Sequence, residues 1–398
     1  MNIGQIQSRR KPVLLKYAVK DFPHLTIETN LNCNIKCRNC YNINNTYSKS
    51  FRQISEEIDL GLRKRNLKTI TIIGGEPTLH PDLVDIIKYI KGKNLICQML
   101  TNGVIFLEDK KDNLLDAVIE AGLDKILLHV DEGQTGVHKN LSLVIDSLFE
   151  KFEKRKIFYA LSTTIFHDTQ QLVSEKIRKY SVNRYFDGIL ALLERNCSET
   201  IRPDYAGEEY STMLLEYEGI SGQLLVEPVV YIPTSLNDKD ISWLFYFFFI
   251  NAKTGQTFSR STTFLGTFFG IYRFITGKYP FALNFRPGMV PLILIFSSIV
   301  ELIINPTRLV NLYRLIAGSG FLSALRILTV VIQNPPEYHD ARDQFHICYH
   351  CPDATIRNGL LTPLCLADLI NPLPENDNNR AIPIDIRDTV YQHMEENT

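Results

Sequence analysis

The chain has 398 residues, 45% of them hydrophobic and 22% charged, which allows a large core and excludes a disordered or fibrous protein. Forty-three basic residues nearly cancel 44 acidic ones, and a net charge of −1 argues against a wholesale nucleic-acid binder. That balance hides an asymmetry: Ile241 to Pro335 carries +7, with Glu301 as its one acid, so the remainder carries −8.

In chain order, the segment Met1 to Tyr17 is basic but has no long apolar core, so no secretory signal is expected and a cytoplasmic location is. Strands are predicted at Leu25–Thr29, Thr69–Ile73, Leu95–Leu100, Lys125–Val130, Ile157–Ile165 and Phe186–Leu193. Helical patterns near Ser55–Arg65, Pro81–Lys91, Asn113–Ala121, Val137–Lys154 and Gln170–Tyr180 lie between them. Pro81 and Asp82 suit a first helical turn. Six β/α repeats imply a parallel sheet with right-handed crossovers.

Short motifs stand where these strands end. After the first strand come Cys33, Cys37 and Cys40, spaced C-x3-C-x2-C. Three thiolates so spaced can hold three irons of a cubane and leave the fourth iron open, since such clusters take four ligands. A zinc knuckle lacking one ligand is the competing reading. Strand Thr69–Ile73 runs into Gly74-Gly75-Glu76-Pro77-Thr78, where glycines let the backbone approach a ligand and a carboxylate suits an ammonium. The third strand ends in Thr101-Asn102-Gly103.

These motifs, in this order, resemble the signature of the radical S-adenosylmethionine (radical SAM) superfamily. The resemblance implies a partial (β/α)6 TIM-like barrel with its site at the C-terminal strand edge. It further implies a [4Fe–4S] cluster on Cys33, Cys37 and Cys40, its open iron taking S-adenosylmethionine. An external one-electron reductant would cleave that cofactor to a 5′-deoxyadenosyl radical, which removes a substrate hydrogen. Gly74, Gly75, Glu76, Pro77 and Asn102 are the implied cofactor-binding residues. The family usually has an aromatic or apolar residue before the third cysteine. Here that residue is Asn39, and Tyr41 follows the cysteine instead, so Tyr41 is the candidate adenine contact.

Further candidates come from strand geometry. His129 and Asp131 flank Val130, and alternation puts both on one face of the fourth strand, as cofactor-binding residues or as a buried histidine and a turn cap. Ser162 and Thr164 are candidate ribose contacts on the fifth strand. Cys97 lies within a strand and is read as core; Cys197 follows the sixth strand and is read as a plain thiol or a ligand.

The C-terminal part holds Cys348, Cys351 and Cys365, spaced C-x2-C-x13-C. Between the last two, Asn358-Gly359 separates Ala354–Arg357 from Leu360–Pro363, a strong hairpin signal that folds Cys365 back beside the other two. The pattern resembles the auxiliary cluster region of molybdopterin-precursor cyclases and of twitch and SPASM domains, implying an auxiliary [4Fe–4S] cluster. The diglycine tail of those cyclases is not seen in Gln392 to Thr398, so only the cluster is carried over, not the substrate. A zinc site completed by His346 or His350 is the alternative.

Between barrel and hairpin, the +7 stretch holds 13 of the 22 Phe, including the run Phe245 to Phe249. It is expected to be a mostly α-helical insert with either a plain core or an apolar, cation-rimmed pocket. No run in it reaches the roughly 20 apolar residues a membrane span needs. The expected domains are 20–200 (barrel), 201–335 (insert) and 336–398 (auxiliary cluster region). The expected function is hydrogen abstraction from a small-molecule, lipid or isoprenoid substrate, with peripheral contact to an anionic membrane as a further expectation. A peptide-modifying enzyme of the same chemistry and a zinc-stapled binding protein are the alternatives.

Overall fold

The computed structural model describes residues 1–7, 11–37, 40–42, 46–131, 134–135, 141–166, 172–194, 209–259, 262–280, 293–294, 298–299, 324–339 and 344–373. In chain order its strands are β1 (Val13–Leu14), β2 (His24–Glu28), β3 (Lys36–Cys37), β4 (Thr69–Ile73), β5 (Ile96–Thr101), β6 (Lys125–His129), β7 (Gln134–Thr135), β8 (Phe158–Ile165) and β9 (Phe186–Leu193). They continue as β10 (Val230–Pro233), β11 (Ile241–Asn251), β12 (Thr257–Ser259), β13 (Leu325–Gln333), β14 (Glu337–His339), β15 (Gln344–His346), β16 (Ala354–Arg357) and β17 (Leu360–Pro363). The helices used below are α1 (Phe51–Lys64), α2 (Leu83–Gly92), α3 (Val104–Glu108), α4 (Asn113–Glu120), α5 (Leu141–Arg155), α6 (Leu172–Tyr180), α7 (Glu209–Leu224) and α8 (Thr262–Thr276).

The six predicted barrel strands are present with ends shifted by a residue or so, and β2, β4, β5, β6, β8 and β9 lie side by side in that order, all parallel. Their local causes are simple. Thr69–Ile73 is β-branched throughout and buried at every residue, as a parallel strand covered on both faces must be. Helix α1 starts where the Ser50 side chain accepts the Gln53 N–H, and it buries Ile54 and Ile58 against the sheet. The result is the mixed α/β, partial-barrel architecture expected from the repeats.

The aromatic run departs from expectation. Trp243 to Ile250 lies within β11, a strand and not a helix, antiparallel to β10 and to β13. β13 in turn pairs parallel with β9, so both strands extend the barrel sheet, which has eleven strands among the described residues. Among the described residues of the predicted insert, helix is found in α7, α8 and the short pieces Ile293–Leu294 and Ser298–Ile299. The physical reason is neighbourhood. An unbroken apolar run fits a buried strand as well as a buried helix, and two flanking strands satisfy its backbone here. Tyr246, Phe248 and Phe249 are buried in that sheet, so these rings are core. Cys197, Val137, Gln170, most of Leu292 to Ile304 and the tail after Leu373 lie outside the described residues.

The C-terminal hairpin forms as predicted: β16 pairs with β17, and the turn residues Asn358 and Gly359 have φ of 47° and 81°, the left-handed pair a two-residue hairpin needs. The hairpin and its preceding loop lie between β2, at one edge of the sheet, and β10, next to the other edge. On the β2 side, the Thr26 hydroxyl donates to the Ala354 carbonyl at 2.9 Å. On the β10 side, the Tyr349 N–H donates to Pro233 and the Ser235 N–H to Ile347. The deepest contact is ionic. Arg357 and Glu28, both fully buried, form a bidentate pair at 2.6 and 2.7 Å, and Asp368 accepts from the same guanidinium.

Candidate functional site

The cysteine loop leaves the C-terminal end of β2 and is held there by the glycine turn. The Gly75 N–H donates to Asn30 and the Glu76 N–H to Asn32. This approach is possible only without side chains. A Cβ on Gly74 would stand 2.4 Å from the Asn30 carbonyl oxygen, and one on Gly75 2.2 Å from that of Asn32. The two glycines therefore serve the cysteine loop itself as well as any ligand beside it.

Glu76 is buried and joins three motifs. Its Oε1 accepts from the Thr78 N–H (3.0 Å), the Thr78 hydroxyl (2.6 Å) and the Thr101 hydroxyl (2.7 Å); its Oε2 accepts from the Asn102 N–H (2.8 Å). Burial pushes this carboxyl up, against those donors. A carboxylate offers about four acceptor sites, so the capacity left for an ammonium lies on Oε2. Asn102 then reaches the cysteine loop, donating to Asn34 Oδ1 at 2.8 Å and approaching Cys33 Sγ at 3.9 Å. Pro77 is buried at the start of a short 3-10 turn capped by Glu76. Tyr41 sends its hydroxyl to the Gly74 carbonyl at 3.2 Å, across the gap between the cysteine loop and the glycine turn.

The fourth strand supplies the opposite wall. β7 pairs antiparallel with β3, setting Gln134 opposite Cys37. His129 Nε2 lies 3.2 Å from Asp131 Oδ2, and its Nδ1 lies 3.1 Å from the Ser162 hydroxyl. The Thr164 N–H also donates to Asp131. Burial would raise the Asp131 carboxyl, but His129 and Thr164 outweigh it and hold the group down at about 2. Thus the structure brings His129, Asp131, Ser162 and Thr164 together beside Cys37. Cys97 is buried in β5, as expected for core.

The donor chemistry of the first cysteine group fits an iron–sulfur cluster. Cys33, Cys37 and Cys40 are free thiols, none fully buried. Burial raises the Cys33 thiol, while the backbone N–H groups of Ile35 and Asn34 and the Asn102 amide favour its thiolate. Among the described residues no three His, Cys, Asp or Glu side chains close on a single metal ion. A cubane asks for less, because its thiolates sit on separate irons.

The second group differs. Cys348, Cys351 and Cys365 are all buried. Cys348 Sγ accepts from the Trp243 indole N–H at 3.0 Å. The Cys351 thiol and the Trp243 N–H lower the Cys348 thiol, and Cys351 is raised in return. Arg65 stands over this loop. Its guanidinium, also buried, donates to the carbonyls of His24 (2.7 Å), His350 (2.8 Å), Cys351 (2.9 Å) and Pro352 (3.3 Å). A buried cation bonded to carbonyls favours an anionic group nearby, and a thiolate-bound cluster is one. Cys365 returns next to Cys351, adding to the rise of its thiol.

Sequence reasoning missed Arg357, Glu28, Arg65 and Trp243. One signal was present: Glu28 is a carboxylate within the predicted strand Leu25–Thr29, and a carboxylate buried in such a strand demands a partner.

Comparisons with known proteins agree with the first site. The radical SAM superfamily model matches residues 27–146. The GTP 3′,8-cyclase of Chlorobaculum tepidum is 30% identical over 131 residues, 31% of this chain and 38% of that protein. The 7,8-dihydro-6-hydroxymethylpterin dimethyltransferase of Methanocaldococcus jannaschii is 36% identical over 110 residues, 27% of this chain and 21% of its own length. The chain thus spans well under half the length of these curated relatives. Streptococcus suis SuiB bound to S-adenosylmethionine is a slighter likeness, with 15% identity, a TM-score of 0.38, and coverage of 51% of this chain and 49% of that one. Over residues 27–146 the chain matches the radical SAM superfamily domain, the domain of an enzyme class that works with a [4Fe–4S] cluster and S-adenosylmethionine.

Proposed function

We propose that this protein is a radical SAM enzyme whose working site is the C-terminal edge of β2, β4, β5 and β6. Cys33, Cys37 and Cys40 would hold the [4Fe–4S] cluster. When bound, the cluster supplies the electron that cleaves S-adenosylmethionine to a 5′-deoxyadenosyl radical. The chain's own part is to bind, orient and shield. Glu76, through the free side of Oε2, and the Gly74–Gly75 backbone lie where an amino-acid moiety would be received, while Tyr41 closes one flank. His129 and Asp131 supply a paired, polar wall on the other, with Ser162 and Thr164 behind them.

The observation that carries this reading is the bonding of Glu76 to Thr101 and Asn102, and of Asn102 to Asn34. Three motifs that lie far apart in sequence are locked into one constellation. We propose further that Cys348, Cys351 and Cys365 hold an auxiliary cluster, supported by their burial, by the Trp243 N–H on Cys348 and by the Arg65 cation. The division into 20–200, 201–335 and 336–398 is kept as a proposal about duties, since β11 and β13 belong to the barrel sheet. The aromatic run that pointed to an apolar substrate is packed in that sheet, so the proposal rests on the cofactor end.

The test is anaerobic reconstitution with iron and sulfide, followed by S-adenosylmethionine and a strong reductant. The proposal expects 5′-deoxyadenosine from the native chain and none from Cys33→Ala, Cys37→Ala or Cys40→Ala. Zinc in place of iron, with no cleavage, would sink it and favour the zinc-stapled reading.

A further inference from the structure

Among the described residues, the basic segment leaves apolar surface exposed on α8 and at Ile299, and not on the aromatic run. Phe268 (39% exposed), Ile271 (55%), Phe274 (91%) and Ile275 (74%) all reach solvent from this one helix. At 100° per residue these four positions fall within a single arc of about 120°. The opposite side is the packed one. Leu265 is buried, and a Cβ on Gly266 would meet Val13 at 3.2 Å. The only charge on α8, Arg273, lies on the packed side, paired with Asp21 and stacked over Tyr279 at 5.2 Å.

Two cations lie near the end of the helix. Lys278 follows α8, bonds the Leu67 carbonyl at 3.4 Å and lies close enough to Lys68 to be repelled by it. In sequence the stretch Ile241 to Pro335 carries +7, with Arg260, Arg286, Arg308 and Arg314 outside the described residues. The helix is also far too short to cross a bilayer. Fifteen residues rise about 22 Å, against the roughly 30 Å of hydrocarbon, and among the described residues no helix is long and apolar enough to span.

We infer that α8 is an interfacial helix that docks the protein on an anionic lipid surface, with Phe268, Ile271, Phe274 and Ile275 entering the acyl boundary and Lys68 and Lys278 facing the headgroups. An apolar face without charge, flanked by cations, is what such a surface binds. A second copy of the chain fits less well. A two-fold contact through α8 would bring Lys68 and Lys278 of one copy toward those of the other. The patch adjoins the residues that precede β2 and β4, at Asp21, Leu67 and Lys68, whereas Cys33 and Glu76 follow those strands. Docking therefore leaves the cofactor edge pointing away from the lipid, and this inference does not depend on the reading of that edge.

The experiment is flotation of the full chain with vesicles of phosphatidylcholine alone or mixed with phosphatidylserine. The native chain is expected to float with the mixed vesicles and to be released by added salt. Phe274→Asp with Ile275→Asp should weaken that binding about tenfold or more, and Lys68→Glu with Lys278→Glu should do the same, with far-UV circular dichroism and 5′-deoxyadenosine formation unchanged. A native chain that stays with the buffer overturns the inference, as do acidic variants that float like the native chain. It is also overturned if light scattering gives a dimer that the Phe274→Asp, Ile275→Asp variant converts to a monomer. Flotation without S-adenosylmethionine cleavage would uphold docking and refute only the enzyme proposal.

Discussion

The two cysteine groups each hold three thiols, at different spacings and in unlike surroundings. Cys33, Cys37 and Cys40 sit on a loop at a strand edge, at least partly open, with neighbours that are short polar groups and glycines. Cys348, Cys351 and Cys365 are buried where the hairpin region bridges β2 and β10, under Arg65 and Trp243. The first group leaves room for a ligand, and its removal is expected to cost the fold little. The second is part of what closes the sheet. A thiol motif thus shows which elements can be coordinated, while burial shows whether the chain depends on them.

The sharpest way to break this contrast is to open the bridge. Arg357→Met leaves Glu28 and Asp368 buried without their cation, and removing one partner of a buried pair costs about 3–5 kcal/mol. Urea denaturation of the metal-free chain should show that loss; a change under 1 kcal/mol would mean the hairpin is not anchored there. Arg357→Lys should not restore it, because one ammonium cannot replace a fork that serves two carboxylates.

A second prediction concerns the glycine turn. Gly75→Ala drives a methyl group into the Asn32 carbonyl, so the cysteine loop must shift, at a cost of about 1–3 kcal/mol. Iron bound at Cys33, Cys37 and Cys40 should fall while the hairpin group is retained. Gly92→Ala is the control: nothing lies within 4 Å of its added methyl, and it should be neutral or slightly stabilising.

A smaller effect separates the groups in the absence of metal. Cys351→Ala should destabilise the chain by about 1–2 kcal/mol, whereas Cys40→Ala should stay within about 0.5 kcal/mol. Equal losses would remove the contrast.

Acid should loosen the bridge over a defined window. His24 is buried, with Nδ1 toward the Pro352 carbonyl and Nε2 toward the Thr71 hydroxyl. Burial, helped by Arg65, lowers it to about 3. An unfolded histidine takes its proton near 6.5. Below that value the unfolded chain binds the proton first, so stability falls as pH drops from about 6.5 toward 3, by up to about 1.4 kcal/mol per unit. Denaturation at pH 7, 6 and 5 checks this; His24→Gln should flatten the slope.

Much of the barrel was legible because its strands are short β-branched or apolar runs bounded by turns, as in Thr69–Ile73 before Gly74-Gly75. The hairpin was legible from Asn358-Gly359 alone. β11 was not, because eight successive apolar residues carry no period, and only its pairing with Val230–Pro233 and Leu325–Gln333 makes it a strand. At the site, cysteine spacing and the glycine motif pointed to the chemistry. The sharing of Glu76 among Thr78, Thr101 and Asn102 is a consequence of parallel strands ending together, which no local pattern states. The Glu28–Arg357 pair spans 329 residues and was hidden for the same reason.

The central claim is that the open cysteine group does the chemistry and the buried one supports it. Iron and 5′-deoxyadenosine should therefore be measured together in two variants, Cys33, Cys37 and Cys40→Ala, and Cys348, Cys351 and Cys365→Ala. Each should lose about half of the roughly eight irons expected for two cubanes. Only the first should lose S-adenosylmethionine cleavage altogether. Cleavage that survives the first variant would contradict the account.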